Sequence, residues 1–206
     1  LVLQALRLGV DEKKLDALWD YKTSPLYTDA ERLALDFALA AAAVPNDVTD
    51  ELFAAMRAAW PSDKPMGMRV SATDWMEGGW TPEETVVLAR ELAKLGCDYL
   101  DVSSGGLDPR AKIPLAPGYQ VPFSEKVRKE TGMPTMTVGL VTDPAQANDI
   151  VASGKADMVA LGRGAMWDPR FAWHAAEALG AEAQYAPKMM ACHPKLRPQV
   201  FPGRAS

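Results

Sequence analysis

A chain of 206 residues, 48% apolar and 24% charged, has enough apolar side chains to build one or two cores of its own. Its formal net charge of −5, with no polybasic run, supplies no field for a nucleic-acid backbone or an anionic membrane surface, so the expected partners are small molecules, with no nucleic acid and no membrane. Cys97 and Cys192 stand far apart without a C-x-x-C or metal-ligand spacing, and no export signal or membrane-length apolar run appears, so no disulfide framework and no metal site is indicated and the expected location is cytoplasmic.

The chain opens at Leu1 inside a helical pattern, LVLQALRLG, which carries the expectation that something lies upstream. In DEKKLDALWDY, Leu15, Leu18 and Trp19 fall at helical spacing. In TDAERLALDFALAAAA, Thr28 and Glu31 form a capping box ahead of an apolar face with Leu33, Phe37 and Ala38. Thr49 then opens DELFAAMRAAW. Residues 1–60 therefore predict a short all-helical segment joined by the turns SPLY and VPND, with no His or Cys in it.

From about residue 61 the pattern alternates. GMRVSA, residues 67–72, predicts a strand, and TPEETVVLARELAKLG a helix with Thr81 as N-cap, Pro82 at N1, Glu84 closing a capping box and Gly96 as its stop. The pair recurs as DYLDVSS with the helix around FSEKVRKETG, as TMTVGLVT with DPAQANDIVASG, and as DMVALG with DPRFAWHAAEALG. Four βα units with apolar strands predict an α/β fold whose parallel sheet is the equivalent of half a (β/α)8 TIM barrel. The half-barrel is expected over residues 61–181, with two strand edges left for something else to cover and an extended tail over 182–206.

Chemistry in such folds sits on the loops at the carboxyl ends of the strands. Here those loops are SATDWMEGGW, SSGGLDPRAKIPLAPGYQVP, GLVTD and GRGAMWDP. Gly139 and Gly162 follow the last two strands, where a bare backbone N–H approaches an anion closely, and Arg163 adds a guanidinium fork suited to phosphate. Plainer roles are open for the same residues. Arg163 can be a surface arginine at a helix start, Arg69 can pair with Asp101, and Ser103 and Ser104 can satisfy turn backbone. Cys97 reads as a small core residue, Tyr119 as loop packing, and His174 as a packed or solvated helical residue. In the tail, Cys192 and His193 are too few for a metal site.

Taken in order, MRVSATDWMEGGW, YLDVSSGG, PGYQVPFSEKVR, VGLVTDPAQA and ALGRG with DPRFAWHAAEALG resemble the carboxyl half of the Old Yellow Enzyme family of FMN-dependent NAD(P)H oxidoreductases, its bacterial ene reductases above all. The resemblance spans roughly residues 56–181. It implies FMN as cofactor and NAD(P)H as reductant, with hydride passing through FMN to an activated alkene. It also implies that Arg69 reaches the N1/C2 edge of the flavin and that Ser103, Ser104, Gly139, Gly162 and Arg163 surround the phosphate. The family's amino half, with its substrate-holding His/His or His/Asn pair and its tyrosine proton donor, has no counterpart here, so no catalytic residue is carried over. Upstream, VDEKKLDALWDYKTSPLYTDAERLALDFA with VTDELFAAMR resembles the helical carboxymuconolactone decarboxylase or alkylhydroperoxidase-like group, without its C-x-x-C. The chain thus reads as a junction of two truncated proteins, whether natural fusion, chimera or artefact. Its expected partner is a second copy in a homo-oligomer or a completing half-barrel. The alternative readings are a non-catalytic fragment that binds flavin, phosphate or another protein, and a barrel that takes a sugar phosphate or nucleotide instead.

Overall fold

A computed structural model describes residues 9–43, 47–106, 108–183, 185, 186, 189, 191 and 199. Most of the helix expected from residue 1, and Cys192 and His193 in the tail, lie outside the described residues. The chain divides into two compact units, one within residues 1–67 together with Glu91–Asp98, the other Met68–Arg90 with the residues from Tyr99 on.

The first unit is helical, and local capping explains its boundaries. Helix α1, Glu12–Asp16, starts where the Asp11 carboxylate accepts the Lys13 N–H and gives way to a 3₁₀ turn at Leu18–Asp20. The expected run of Leu15, Leu18 and Trp19 is therefore broken, and Trp19 is exposed. Helix α2, Asp29–Ala42, carries the expected capping box, with the Thr28 hydroxyl accepting from the Glu31 N–H and the Glu31 carboxylate accepting from the Thr28 N–H. The Lys14 ammonium and those Thr28 bonds bring the Glu31 carboxyl down to about 2. Helix α3, Asp50–Ala59, is capped by Thr49, and its buried Phe53 meets Phe37 of α2 at 6.4 Å between ring centroids. Tyr21 and Tyr27 are buried because their hydroxyls have somewhere to donate, to Asp36 and to the Lys14 carbonyl. Cys97 is a buried packing residue in this unit.

The second unit is built on four strands, β1 Gly67–Ser71, β2 Tyr99–Ser103, β3 Thr135–Thr137 and β4 Met158–Val159, in the sheet order β1-β2-β3-β4. β2, β3 and β4 are parallel. The helices are α4 Pro82–Lys94, of which residues 91–94 count with the first unit, α5 Val121–Thr131, α6 Pro144–Ala152, α7 Arg163–Trp167 and α8 Phe171–Ala178. A strand order that never reverses has no topological switch point, so this is an arc of a barrel rather than a doubly wound sheet.

Register decides which side chains share a face. Leu100 pairs with Thr135, and Val102 with Thr137 and on to Val159. Leu100, Val102, Thr135 and Thr137 are fully buried, on strands against which α5 packs. The alternate residues Asp101, Met136 and Met158 line up on the other face and are only half-buried. A second cluster of Val121, Val141, Ile150 and Ala156 joins the start of α5 to α6 and β4. The Asp157 carboxylate locks β3 to β4, accepting the Thr135 N–H and two guanidinium bonds from Arg128 at 2.9 and 3.0 Å.

Two sequence expectations change here. TMTVGLVT forms a strand only to Thr137, because Gly139 at φ 129° and Leu140 at φ 55° turn the backbone out of the extended region. GRGAMWDP is not all loop, since Arg163–Trp167 closes one helical turn with Gly164 packed against Val141 and Thr142. Among the described residues no helix is long and apolar enough to cross a membrane, and no three His, Cys, Asp or Glu side chains gather to hold a metal.

Candidate functional site

Ser103, Ser104, Gly139 and the Gly162–Arg163 step lie at or just past the carboxyl ends of β2, β3 and β4, while Arg69 stands in the middle of β1 and reaches β2 through its side chain. β1 carries Arg69, whose Nη1 donates to Asp101 Oδ2 at 2.9 Å and whose Nη2 lies 3.4 Å from Ser103 Oγ. The plainer role foreseen for Arg69 is thus present. It does not consume the group: the Arg69 side chain stays 57% exposed, and only one of its five N–H donors is committed to Asp101. The carboxylate is the buried partner, at 14% exposure, with Oδ1 unpartnered among the described residues. Burial pushes the Asp101 carboxyl above its ordinary range, and the Arg69 charge opposes the shift without cancelling it.

The two serines separate in role. Ser104 is buried, donates to Gln120 Oε1 at 2.6 Å and accepts from Trp75 Nε1 at 3.0 Å, so its hydroxyl is occupied inside the protein. Ser103 is half-buried and makes only long contacts, donating to Gln120 Oε1 at 3.4 Å and accepting from Arg69 Nη2 at 3.4 Å, so its hydroxyl is held more loosely than that of Ser104.

Gly139 follows β3 in a conformation that a side chain could not follow: a Cβ built there would lie 2.9 Å from Gln120 Nε2 and 3.1 Å from Tyr119 Cε1. Its carbonyl accepts from the Gly118 N–H at 2.8 Å. Its own N–H, though the residue is buried, donates to no acceptor among the described residues, and neither does the N–H of the half-buried Leu140. Orphaned buried donors of this kind are rare and call for a partner. At the end of the neighbouring strand β4, Gly162 precedes α7, and Arg163 is exposed with no ion pair among the described residues. Amides without an acceptor past one strand and a guanidinium without an ion pair past the next, both among the described residues, are groups suited to a phosphomonoester dianion.

Sequence reasoning missed Gln120, Trp75 and Gly164. Gln120 follows PGY at the start of α5, and only its contacts, 16 to 18 residues away in sequence, distinguish it from any helix-cap glutamine. Tyr119, read as loop packing, lies against Gly139. His174 sits on α8 with Nδ1 2.7 Å from Asp168 Oδ2, away from the strand-end groups in sequence and in hydrogen bonding.

The sequence profile of the NADH:flavin oxidoreductase / NADH oxidase family matches residues 49–182. The chain belongs to this family. Among its curated relatives, an NADPH dehydrogenase of Geobacillus thermodenitrificans is 40% identical over 134 residues, covering 65% of this chain and 38% of the relative. One from Clostridium acetobutylicum is 44% identical over 122 residues, covering 59% of this chain and 35% of the relative. The chain therefore spans well under half the length of the relatives it matches. In fold, this flavin oxidoreductase family member resembles a 2-naphthoyl-CoA reductase bound to 2-naphthoyl-CoA, with TM-score 0.56 and 24% identity over 64% of this chain and 20% of the other. It also resembles histamine dehydrogenase from Rhizobium sp. 4-9, with TM-score 0.54 and 21% identity over 63% of this chain and 19% of the other. The Old Yellow Enzyme resemblance and the partial barrel read from the sequence agree with these matches.

Proposed function

We propose that the strand ends from Arg69 to Arg163 form the phosphate and pyrimidine side of an FMN site in an NAD(P)H-dependent oxidoreductase acting on activated alkenes. The observation that carries the reading is the buried Gly139 N–H past the end of one strand and the Arg163 guanidinium past the end of the next, both without a partner among the described residues. Membership of a flavin oxidoreductase family supports FMN over other phosphates.

When bound, FMN supplies a two-electron carrier that accepts and donates hydride at N5. The amides of Gly139 and Gly162 and the Arg163 fork would hold its phosphate. Ser103, whose hydroxyl makes only long contacts with Gln120 and Arg69, is the serine available to the ligand, while Ser104 shapes the loop from behind. Arg69 offers a fixed, always-protonated cation for the pyrimidine edge, where negative charge develops on reduction. Asp101 keeps that guanidinium oriented through its 2.9 Å bond.

The groups that hold a substrate carbonyl and return a proton are not among the described strand-end residues, which include no histidine. We assign those to a completing half-barrel or to a second copy of the chain, either of which would cover the half-buried face of Asp101, Met136 and Met158. A cytoplasmic setting suits a reaction that draws on NAD(P)H. The test is gel filtration with added FMN, followed by titration, beside Arg163→Ala. Co-eluting flavin is expected, with affinity falling by roughly tenfold to a hundredfold in the variant, the worth of a charge-assisted bond. Flavin that fails to bind, or that binds the variant equally, would sink the assignment.

A further inference from the structure

Gln120 is 2% exposed at the N-terminus of α5, and both ends of its amide are used. Nε2 donates to the Val138 carbonyl at 2.9 Å, while Oε1 accepts from Ser104 at 2.6 Å and faces Ser103 at 3.4 Å. Only an N–H can serve a carbonyl, so the orientation of the amide is settled by its partners. Through Ser104 the chain of bonds continues to Trp75 Nε1 on the loop after β1, so one side chain ties together the ends of β1, β2 and β3.

The Val138 carbonyl and the Gly139 N–H belong to one planar trans peptide and point in opposite directions. Anchoring the carbonyl on Gln120 therefore aims the Gly139 N–H away from α5. The next peptide is held likewise, its Gly139 carbonyl on the Gly118 N–H at 2.8 Å, which aims the Leu140 N–H. Two successive residues at positive φ, one of them a leucine, persist only where neighbours over-determine the backbone, and these two anchors do so.

Resting on the flavin phosphate reading above, we infer that Gln120 is a positioning residue for the anion site: it touches no ligand, and it sets the direction of the Gly139 N–H that does. The ligand class is a phosphomonoester dianion, and the unphosphorylated flavin is the natural comparison.

The experiment measures FMN and riboflavin affinities by flavin fluorescence quenching for the wild type, Gln120→Met and Gln120→Glu, with a thermal melt of each. Methionine keeps the length, stays neutral and loses every bond, so it decides the role of Gln120; glutamate keeps the acceptor for Ser104 but replaces the donor to Val138 with a second acceptor and adds a negative charge that itself disfavours a dianion. Expected is a wild-type preference for FMN that both variants reduce about tenfold or more, with riboflavin affinity little changed. A purely structural role would weaken both flavins alike. A wild-type preference that survives Gln120→Met would overturn the role of Gln120 and leave the flavin reading standing. A wild type that binds FMN no better than riboflavin removes the phosphate reading and this inference with it. Should a variant fail to fold, the wild type alone decides: the Gly139 amide NMR signal must shift on adding FMN and not on adding riboflavin, and a signal indifferent to FMN overturns the inference.

Discussion

Gly139→Ala probes the strand end most directly. The new methyl carbon would lie 2.9 Å from Gln120 Nε2, 3.1 Å from Tyr119 Cε1 and 3.2 Å from Gln120 Cγ, all closer than van der Waals contact. Gln120 cannot swing aside without giving up Val138 and Ser104, so the clash falls on a bonded side chain rather than a loose one. Overpacking of this kind costs about 1–3 kcal/mol, and holding an alanine at φ 129° costs about 1–3 kcal/mol more. The smaller conformational freedom of alanine in the unfolded chain returns about 0.4–1 kcal/mol. The net loss is roughly 1–5.6 kcal/mol, and at about 2–4 °C per kcal/mol for a chain of this size the melting temperature should fall by about 2–22 °C. Gly162→Ala is the control, since that residue has φ −89° and nothing within 4 Å of its built Cβ. Its stability should stay within about 0.5 kcal/mol of wild type. The assay is thermal unfolding followed by circular dichroism and by tryptophan fluorescence. A Gly139→Ala melt indistinguishable from that of Gly162→Ala would refute the reasoning, because it would mean that the bracket around Gly139 yields freely.

Asp101→Asn tests the buried carboxylate: with its folded pKa raised above the ordinary 3.8, the ionised form costs stability, so this site's contribution is greatest when protonated and is lost as pH rises through the folded value. The asparagine variant should therefore be at least as stable as wild type at neutral pH and show a flatter stability profile on the acid side, by denaturant titrations across pH; clear destabilisation at neutral pH would count against it. Thr137→Val removes a fully buried hydroxyl that has no partner among the described residues, and should raise stability by up to about 1 kcal/mol in urea unfolding. A loss there would mean that the hydroxyl is satisfied by bound water.

Much of this protein is legible one turn at a time. The capping boxes Thr28/Glu31 and Thr81/Glu84, the caps Thr49 and Asp143, and the stop at Gly132 are each decided within about four residues, because helix ends bond to their own side chains. The four βα repeats, and with them the placing of Gly139 and Arg163 at strand ends, follow from hydrophobic pattern and punctuation. The pairing of Arg69 with Asp101 was one of two foreseen roles, and the exposure of the guanidinium allows both.

What only the tertiary structure decided is the division of labour among those strand-end residues. Ser103 and Ser104 are identical in sequence, yet opposite alternation across the strand buries one against Gln120 and Trp75 and leaves the other half-open. The Val138 carbonyl is answered by a side chain 18 residues earlier, and Trp75 reaches a serine 29 residues later. Sequence patterns carry periods of two and 3.6 residues and the chemistry of single turns. The direction of the Gly139 N–H depends instead on which distant donor claims the carbonyl on the same peptide plane, and that is settled only when the strands lie side by side.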